Sequence, residues 1–480
     1  MSVPSSRICV LNKAESQRSG RYVLYWMQQS QRARFNPALE LAIDEANARD
    51  LPVLVCFGLM DGYPEANARH YAFMLEGLAE VERDLNERGI SFVIRRGAPD
   101  AVALQFSSEA ALVVCDRGYL KPQKAWRTSL SRRAPCCVVQ VEGDVVVPVE
   151  TASPKHEVGA RTLRPKLYRV WEEYIVSLKA RTLRHRAPDV HVQSDINLSD
   201  VPGALRSLRI HHSVSPVRRF QGGTSRARAR LNAYLAEPFA HYAKNRSVPE
   251  AGAASHMSPY LHFGQISPVE IALAVRDTKT GDDEDRSAYL EELIVRRELA
   301  MNHVFYDERY DAYETVPEWA RKTLDSRRGD PRPYLYAREQ FEAGDTHDRY
   351  WNAAMKEMRE TGYMHNHMRM YWGKKILEWS PSPEEAFETT LRLNNRYFLD
   401  GRDANSFTNV AWVFGLHDRP WGPRTVFGNV RSMGQNSLKK FDADAYVQTV
   451  EELAAAEGGR GDPVEGFIRS VAGESTPRSG

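Results

Sequence analysis

Long apolar runs are missing from this 480-residue sequence. No stretch approaches the ~20 apolar residues that a bilayer-spanning helix needs. The opening MSVPSSRICVLNKAESQRSG also lacks the apolar centre of a secretory signal, so a cytoplasmic protein is expected. Cysteine is scarce: Cys9, Cys56, Cys115, Cys136 and Cys137 all lie in the first third, are odd in number and form no CxxC. That excludes a disulfide framework and gives no zinc site, and no metal is expected. An excess of one charge is missing too. Lys plus Arg total 65 against 63 acidic residues, so any surface for a polyanion must be local. No GxGxxG follows the first strand-like run, and no Walker loop, HExxH or Ser/His/Asp arrangement occurs, which leaves hydrolytic chemistry without visible machinery. There is no internal repeat.

The length does suit two or more hydrophobic cores, and a hydrophobic content of 42% can fill them. Mean hydropathy is −0.52, in keeping with a polar surface. After an N-terminal extension (1–20), short Val/Ile/Leu-rich runs alternate with helical periodicity from 21 to 150. The runs are RYVLYW (21–26), LPVLVCF (51–57), SFVIRR (91–96), ALVVCD (111–116) and CVVQVEGDVVV (137–147). This alternation reads as βαβ units around a parallel sheet. Beyond 150 the strand signals fade. A helical stretch and a polar, proline-containing connection fill 151–222, the latter expected to cross the surface from about 185. Helical patterns dominate 223–456, and a Gly/Ser/Pro-rich tail at 457–480 is expected to fray. The fold class is therefore α/β plus all-α.

Several segments could carry chemistry. Gly222, Gly223 and Thr224 precede a helix starting near Ser225, with Arg226, Arg228 and Arg230 behind. That pattern suits a phosphate, although a plain capped basic helix fits it better. In SHMSPYLHFGQISP, Ser258 can cap a helix whose first turn admits Pro259. Glu298 in RREL reads first as a member of an exposed ion pair. His365 and His367 of HNH point to different sides of a helix, as a solvated or hydrogen-bonded pair would. Trp372 and Trp379, seven residues apart on one helix, share a face about 10 Å apart along the axis. Trp351, on another helix, could fill the gap. Such a column suits stepwise electron transfer, but indoles at helical spacing more often pack a core. Asn366, Arg369, Met370 and Gly373 lie on adjacent strips, as in a lined pocket.

Taken together these segments resemble the photolyase/cryptochrome superfamily, most closely the class II cyclobutane pyrimidine dimer photolyases. The motifs include VLYWMQQSQRARFNPALE, EVGARTLRPKLYRVW, SHMSPYLHFGQISP, EELIVRREL, DPRPYLY and THDRYWNAAMKEM. They continue with MHNHMRMYWGKKILEW, LDGRDANSFTNVAW and GLHDRPWGPRTVFGNVR. The resemblance runs in order from about residue 21 to 447. It implies an α/β antenna domain and a helical domain holding bent FAD. Tyr242, Ser255, His256, Met257 and Ser258 would follow its phosphates and ribose, with Asn366 and Gly401 also in the cofactor site. Arg369 and Asp400 would pair beside the flavin ring, and Asn394 would face N5. Light-excited reduced FAD would pass an electron to a flipped-out dimer, which splits and returns it. Glu298 would hydrogen-bond the pyrimidine edge, Met370 would pack on the dimer, and Trp412 would stack on it.

The column acquires a direction from the same resemblance: Trp372, then Trp351, then Trp379 at the surface would reduce oxidised flavin. Arg424, Lys439 and Lys440 would contact the DNA backbone. The partner would be ultraviolet-damaged DNA, in the cytoplasm or nucleoid, and the chain a monomer with no obligate protein partner. Deazaflavin is favoured over folate as antenna pigment. One departure stands out: Asn302 replaces an aromatic residue one helical turn after Glu298, with Phe305 and Tyr306 as candidate substitutes. A cryptochrome-like photoreceptor is the alternative within the fold, and a light-independent nucleotide-binding protein the alternative outside it.

Overall fold

The computed structural model describes residues 3–186 and 192–458. Most of the tail expected to fray, and part of the polar connection, lie outside these residues. The sheet has six strands in the order β1-β6-β5-β2-β3-β4. They are β1 (Ile8–Val10), β2 (Tyr22–Trp26), β3 (Val53–Leu59), β4 (Ser91–Arg96), β5 (Ala110–Asp116) and β6 (Val138–Val141). All neighbours run parallel except β1 with β6. The five expected strands are present. The extension is not outside the domain, however: Ile8, Cys9 and Val10 pair with Val141, Gln140 and Val139. Three residues are too few for a period-2 signal, and this edge strand exists because β6 offers it a ladder. The last run is also shorter than expected, since Val145, Val146 and Val147 form a buried loop leading to the helical half.

Period-2 alternation sorts the side chains onto two buried faces. Val23, Tyr25, Val53 and Val55 meet α1 (Pro37–Arg49) and α2 (Ala68–Glu87). Tyr22, Leu24, Trp26, Leu54 and Cys56 meet α3 (Pro99–Ser107) and α4 (Lys121–Arg133). Both faces are covered, which is why the strands read as continuous apolar runs. Helix α1 starts where the pattern predicts: Asn36 accepts from the Ala38 and Leu39 amides, and Pro37 supplies a preset φ. The connection does more than cross the surface. Ile196, Leu198, Val201, Leu205 and Leu208 are buried in the same cluster as α1 and α2.

The helical half is built around the helix Asn366–Trp379. It packs with Arg349–Thr361, Pro383–Tyr397 and Ala404–Val413 over a core containing Trp351, Tyr371, Trp372 and Trp379. A second continuous helical path runs through Asp283–Leu290, a π-helical turn at Glu291–Arg296, and Arg297–Tyr306. That turn carries one residue more per turn than an α-helix and re-aims every side chain after it. No helix among the described residues is long and apolar enough to cross a membrane.

Candidate active site

Residues distant in sequence converge at one end of the Trp-bearing helix. The Arg369 guanidinium forms a two-pronged bond with Asp400, Nη1 to Oδ1 and Nη2 to Oδ2, both 3.0 Å. Its Nε donates to the Met364 carbonyl, and its Cζ lies 3.9 Å from the centroid of Phe398. This planar fork fixes orientation as well as charge. Tyr363 lies under the same guanidinium at 5.4 Å, and His256 meets Tyr363 edge-on at 4.5 Å. Tyr242 contacts Tyr289, whose hydroxyl donates to Ser255 Oγ at 2.9 Å. Burial, then the charges of Arg219 and Arg230, keep His256 neutral, with its Nδ1 buried and unpartnered. Asn394 is 6% exposed, and its Nδ2 donates to Asn395 Oδ1 at 3.1 Å.

Other expected cofactor residues are placed differently. Met257 is buried, and Ser258 opens the short helix Ser258–His262. Asn366 is exposed at the start of its helix. Gly401 is a packing glycine, because a Cβ there would meet the Asn394 and Phe398 carbonyl oxygens at 2.8 Å. Gly373 likewise lets the helix approach Val413. His365 caps that helix through Nδ1, which accepts from the His367 amide, so the HNH run is local structure.

The three tryptophans form a connected column. Trp351 Nε1 donates to the Trp372 carbonyl at 3.0 Å, and the Trp351 and Trp379 centroids are 6.0 Å apart. Trp372 Nε1 is buried with no partner. Trp379 is not at the surface: it is 3% exposed and covered by Tyr336 and His347, at 5.7 and 4.9 Å. Tyr336 Oη lies 2.7 Å from His347 Nδ1. The sequence could not show this cover, because DPRPYLY and THDRYW approach the column only in the folded chain.

Glu298 requires a correction. It is 2% exposed and accepts from the Val146 and Val147 amides, the latter at 3.2 Å. It is neither an exposed ion pair nor free to meet a nucleobase. It ties the end of the α/β half to the helical half, and burial raises its carboxyl to about 8 against those stabilising bonds. Asn302 beside it holds the same junction, accepting from the Glu157 amide and donating to the Lys155 carbonyl. Phe305 lies under Arg117 and Lys124, and Tyr306 donates to the Ser153 carbonyl. Both aromatic side chains are thus engaged at the interdomain junction, while His303 of the same helix bonds Thr408 and Thr315 within the helical half. The acid beside the cofactor residues is Glu292, paired at 2.6 Å with Arg246 at the end of the short helix Tyr242–Asn245. Glu291 is engaged by Arg164.

Gly222 and Gly223 do not cradle a phosphate, because carboxylates of α2 already serve that helix start. Glu76 accepts from the Gly222 amide at 2.6 Å and Glu80 from Ser225 at 2.7 Å. Met370 and Trp412 are half-buried, and Arg296 lies 5.8 Å from the Trp412 centroid. Arg424, Lys439 and Lys440 are exposed. Close to them is a feature sequence reasoning missed: Trp421, 41% exposed, between Arg419 and Arg431 at 5.4 and 5.2 Å.

A second opening lies between the halves, with about 720 Å³ of empty space, part of it open to solvent. It sits beyond the C-terminal ends of β2 and β3, beside the point where strand order reverses, where open α/β sheets commonly take ligands. Gln28, Gln29, Tyr63, Trp126, His262 and Arg402 line it, and Arg402 Nε and Nη2 and His262 Nδ1 are buried without partners.

An α/β half with a parallel sheet joined to a helical half is the architecture of the photolyases and cryptochromes. A photolyase from Sulfolobus tokodaii, described with two FAD molecules, matches 95% of the chain and is itself covered to 94%, with a TM-score of 0.64 at 16% identity. A class III photolyase from Agrobacterium tumefaciens superposes with a TM-score of 0.68 at 19% identity, over 96% of this chain and 93% of that one. The DNA photolyase family model matches residues 23–186. The deoxyribodipyrimidine photo-lyase of Methanothermobacter thermautotrophicus is 45% identical over 94% of this chain and 99% of its own length. The chain belongs to the deoxyribodipyrimidine photo-lyase family.

Proposed function

We propose that this protein repairs cyclobutane pyrimidine dimers in DNA with light, as a class II member of its family, using FAD held beside Arg369, Asn394 and Asp400. One observation carries the reading: the Arg369–Asp400 fork shares Phe398 with the Trp372 ring, the Trp351 indole bonds the Trp372 carbonyl, and the Trp351 ring lies 6.0 Å from that of Trp379. A plain aromatic core has no use for the Arg369–Asp400 fork, and a plain nucleotide site has no use for the column. The donor set fits the cofactor. Unpartnered His256 Nδ1 and Trp372 Nε1, the fork and the Asn394 carbonyl offer both donors and acceptors to a dinucleotide. When bound in its reduced form, FAD supplies the electron that light drives into the dimer and that returns after the ring opens.

The chain's own residues do the rest. Arg369 and Asp400 hold the ring plane, and Asn394 offers N5 a neutral partner that does not titrate. Tyr242, Ser255 and His256 line the way to the phosphates, and Trp372, Trp351 and Trp379 activate an oxidised cofactor. Glu292, in place of Glu298, is the carboxylate for the pyrimidine edge, while Met370 packs on the flipped lesion and Trp412 stacks on it. Extrusion is required because the cofactor cannot reach a stacked dimer, and a damaged pair is the least costly to flip. Arg419, Trp421 and Arg431 join Arg424, Lys439 and Lys440 on the DNA side, combining aromatic stacking with phosphate neutralisation. The interdomain cavity, with aromatic walls and buried free donors, suits a flat conjugated antenna pigment rich in acceptors, such as a deazaflavin.

Illumination of the reduced protein with ultraviolet-irradiated thymine oligonucleotide is expected to restore the absorbance of undamaged bases. Equal recovery in the dark, or none in the light, refutes the reading.

A further inference from the structure

The orientation of the Asn394 amide is set by neighbours outside the cofactor cradle. Asn395 is fully buried. Its Oδ1 accepts from Asn394 Nδ2 at 3.1 Å and from the Arg402 backbone amide at 3.0 Å, and its Nδ2 donates to Glu65 Oε2 at 2.5 Å. The two anchors differ in kind. A backbone N–H can only donate and an ionised carboxylate can only accept, so reversing the Asn395 amide would oppose like poles at both ends. Its polarity is thereby fixed, and it presents an acceptor to Asn394. Asn394 must then commit its amino group to Asn395. Its Oδ1 takes no hydrogen bond from a described residue and is left for the cofactor. Glu65 and Arg402 both hold left-handed backbone, φ 59° and 66°, a costly conformation for residues other than glycine. Glu65 comes from the α/β half, between β3 and α2, so the clamp reaches across the domain junction.

We propose that Asn395, clamped between Glu65 and Arg402, is a positioning residue that fixes the polarity of the Asn394 amide, so that its carbonyl oxygen rather than its amino group faces flavin N5. The inference rests on the reading of Asn394 as the N5 neighbour. An oxygen at that position accepts from N5–H, which the reduced ring carries, and opposes the lone pair of the oxidised ring. The clamp therefore biases the bound cofactor toward its reduced form.

The test is spectroelectrochemistry on full-length protein with FAD bound, reading the one-electron midpoint potential of the oxidised/semiquinone couple, the step in which N5 gains its proton, together with FAD retention. Asn395→Ala is expected to shift the equilibrium at least tenfold toward oxidised cofactor, which is 59 mV for one electron. Glu65→Leu is expected to shift it in the same direction by about threefold, because removing one of several bonds to the clamp costs a fraction of the whole. Glu65→Gln, which keeps an acceptor for Asn395 Nδ2, is expected to stay near wild type. In an Asn394→Ala background, Asn395→Ala should add nothing. If Asn394→Ala moves the potential and Asn395→Ala, with FAD retained, does not, the positioning role is overturned. If neither moves it, the assignment of Asn394 fails and the inference falls with it. Should Asn395→Ala lose FAD, the Glu65 pair decides, and equal potentials for Leu and Gln overturn the clamp.

Discussion

Glu298 and Glu292 lie six residues apart with opposite fates. Glu298 is buried on backbone amides of the domain junction, with its carboxyl raised from 4.5 to about 8 by burial. A carboxyl raised in this way keeps its proton in the folded chain while the unfolded chain releases it. Its contribution to stability is therefore complete at low pH and declines as pH rises from about 4.5 to about 8. Glu298→Gln is expected to cost ~1–3 kcal/mol at pH 5, because a side-chain donor would then face the Val146 and Val147 amides. Denaturant titrations should show that deficit shrinking toward pH 8, and parallel profiles for the two proteins would count against the assigned junction role. Repair per folded molecule should be unchanged. Glu292→Gln should behave in the opposite way, with FAD retained and folding intact but dimer repair lowered about tenfold, the scale of one charge-assisted bond.

At the scale of elements, one helix serves two functions. Asn366–Trp379 carries Arg369 to Asp400 and Trp372 and Trp379 into the core, with Met370 partly buried against it. Trp372→Phe is expected to abolish photoreduction of oxidised flavin, followed by absorbance under blue light with an external donor, while protein reduced beforehand still repairs. Unchanged photoreduction would exclude this column. Tryptophan spacing put Trp372 and Trp379 on one helix, Asn366–Trp379. It did not show that Trp379 is covered by Tyr336 and His347, which reach it from segments more than thirty residues away in sequence. The π-helical turn at Glu291–Arg296 is a second case. Glu292 lies within that turn and Glu298 in the α-helix that follows it, and resemblance by motif did not separate the two carboxylates.

For the whole molecule, near-neutral net charge conceals a local cationic surface. Arg419, Arg424, Arg431, Lys439 and Lys440 are all exposed, with Trp421 among the first three. Replacing Arg419 or Arg431 with Ala is expected to reduce the salt dependence of damaged-DNA binding by about one unit in log–log slope for each phosphate no longer neutralised. Fluorescence anisotropy across a salt series measures this, and an unchanged slope would remove that residue from the DNA surface.

The sequence by itself determined the α/β-then-helical order and five of the six strands, because local periodicity is a property of contiguous chain, whereas the cradle and column residues were expectations from motif resemblance. Only the tertiary structure decided that residues 8–10 complete the sheet and that the connection helps bury the α1 and α2 layer. It also decided that carboxylates of α2 occupy the glycine-led helix start, that Glu298 closes the domain junction, and that Glu65 reaches Asn395. Each of these depends on two distant segments meeting, and the spacing of either segment alone carries no record of the other.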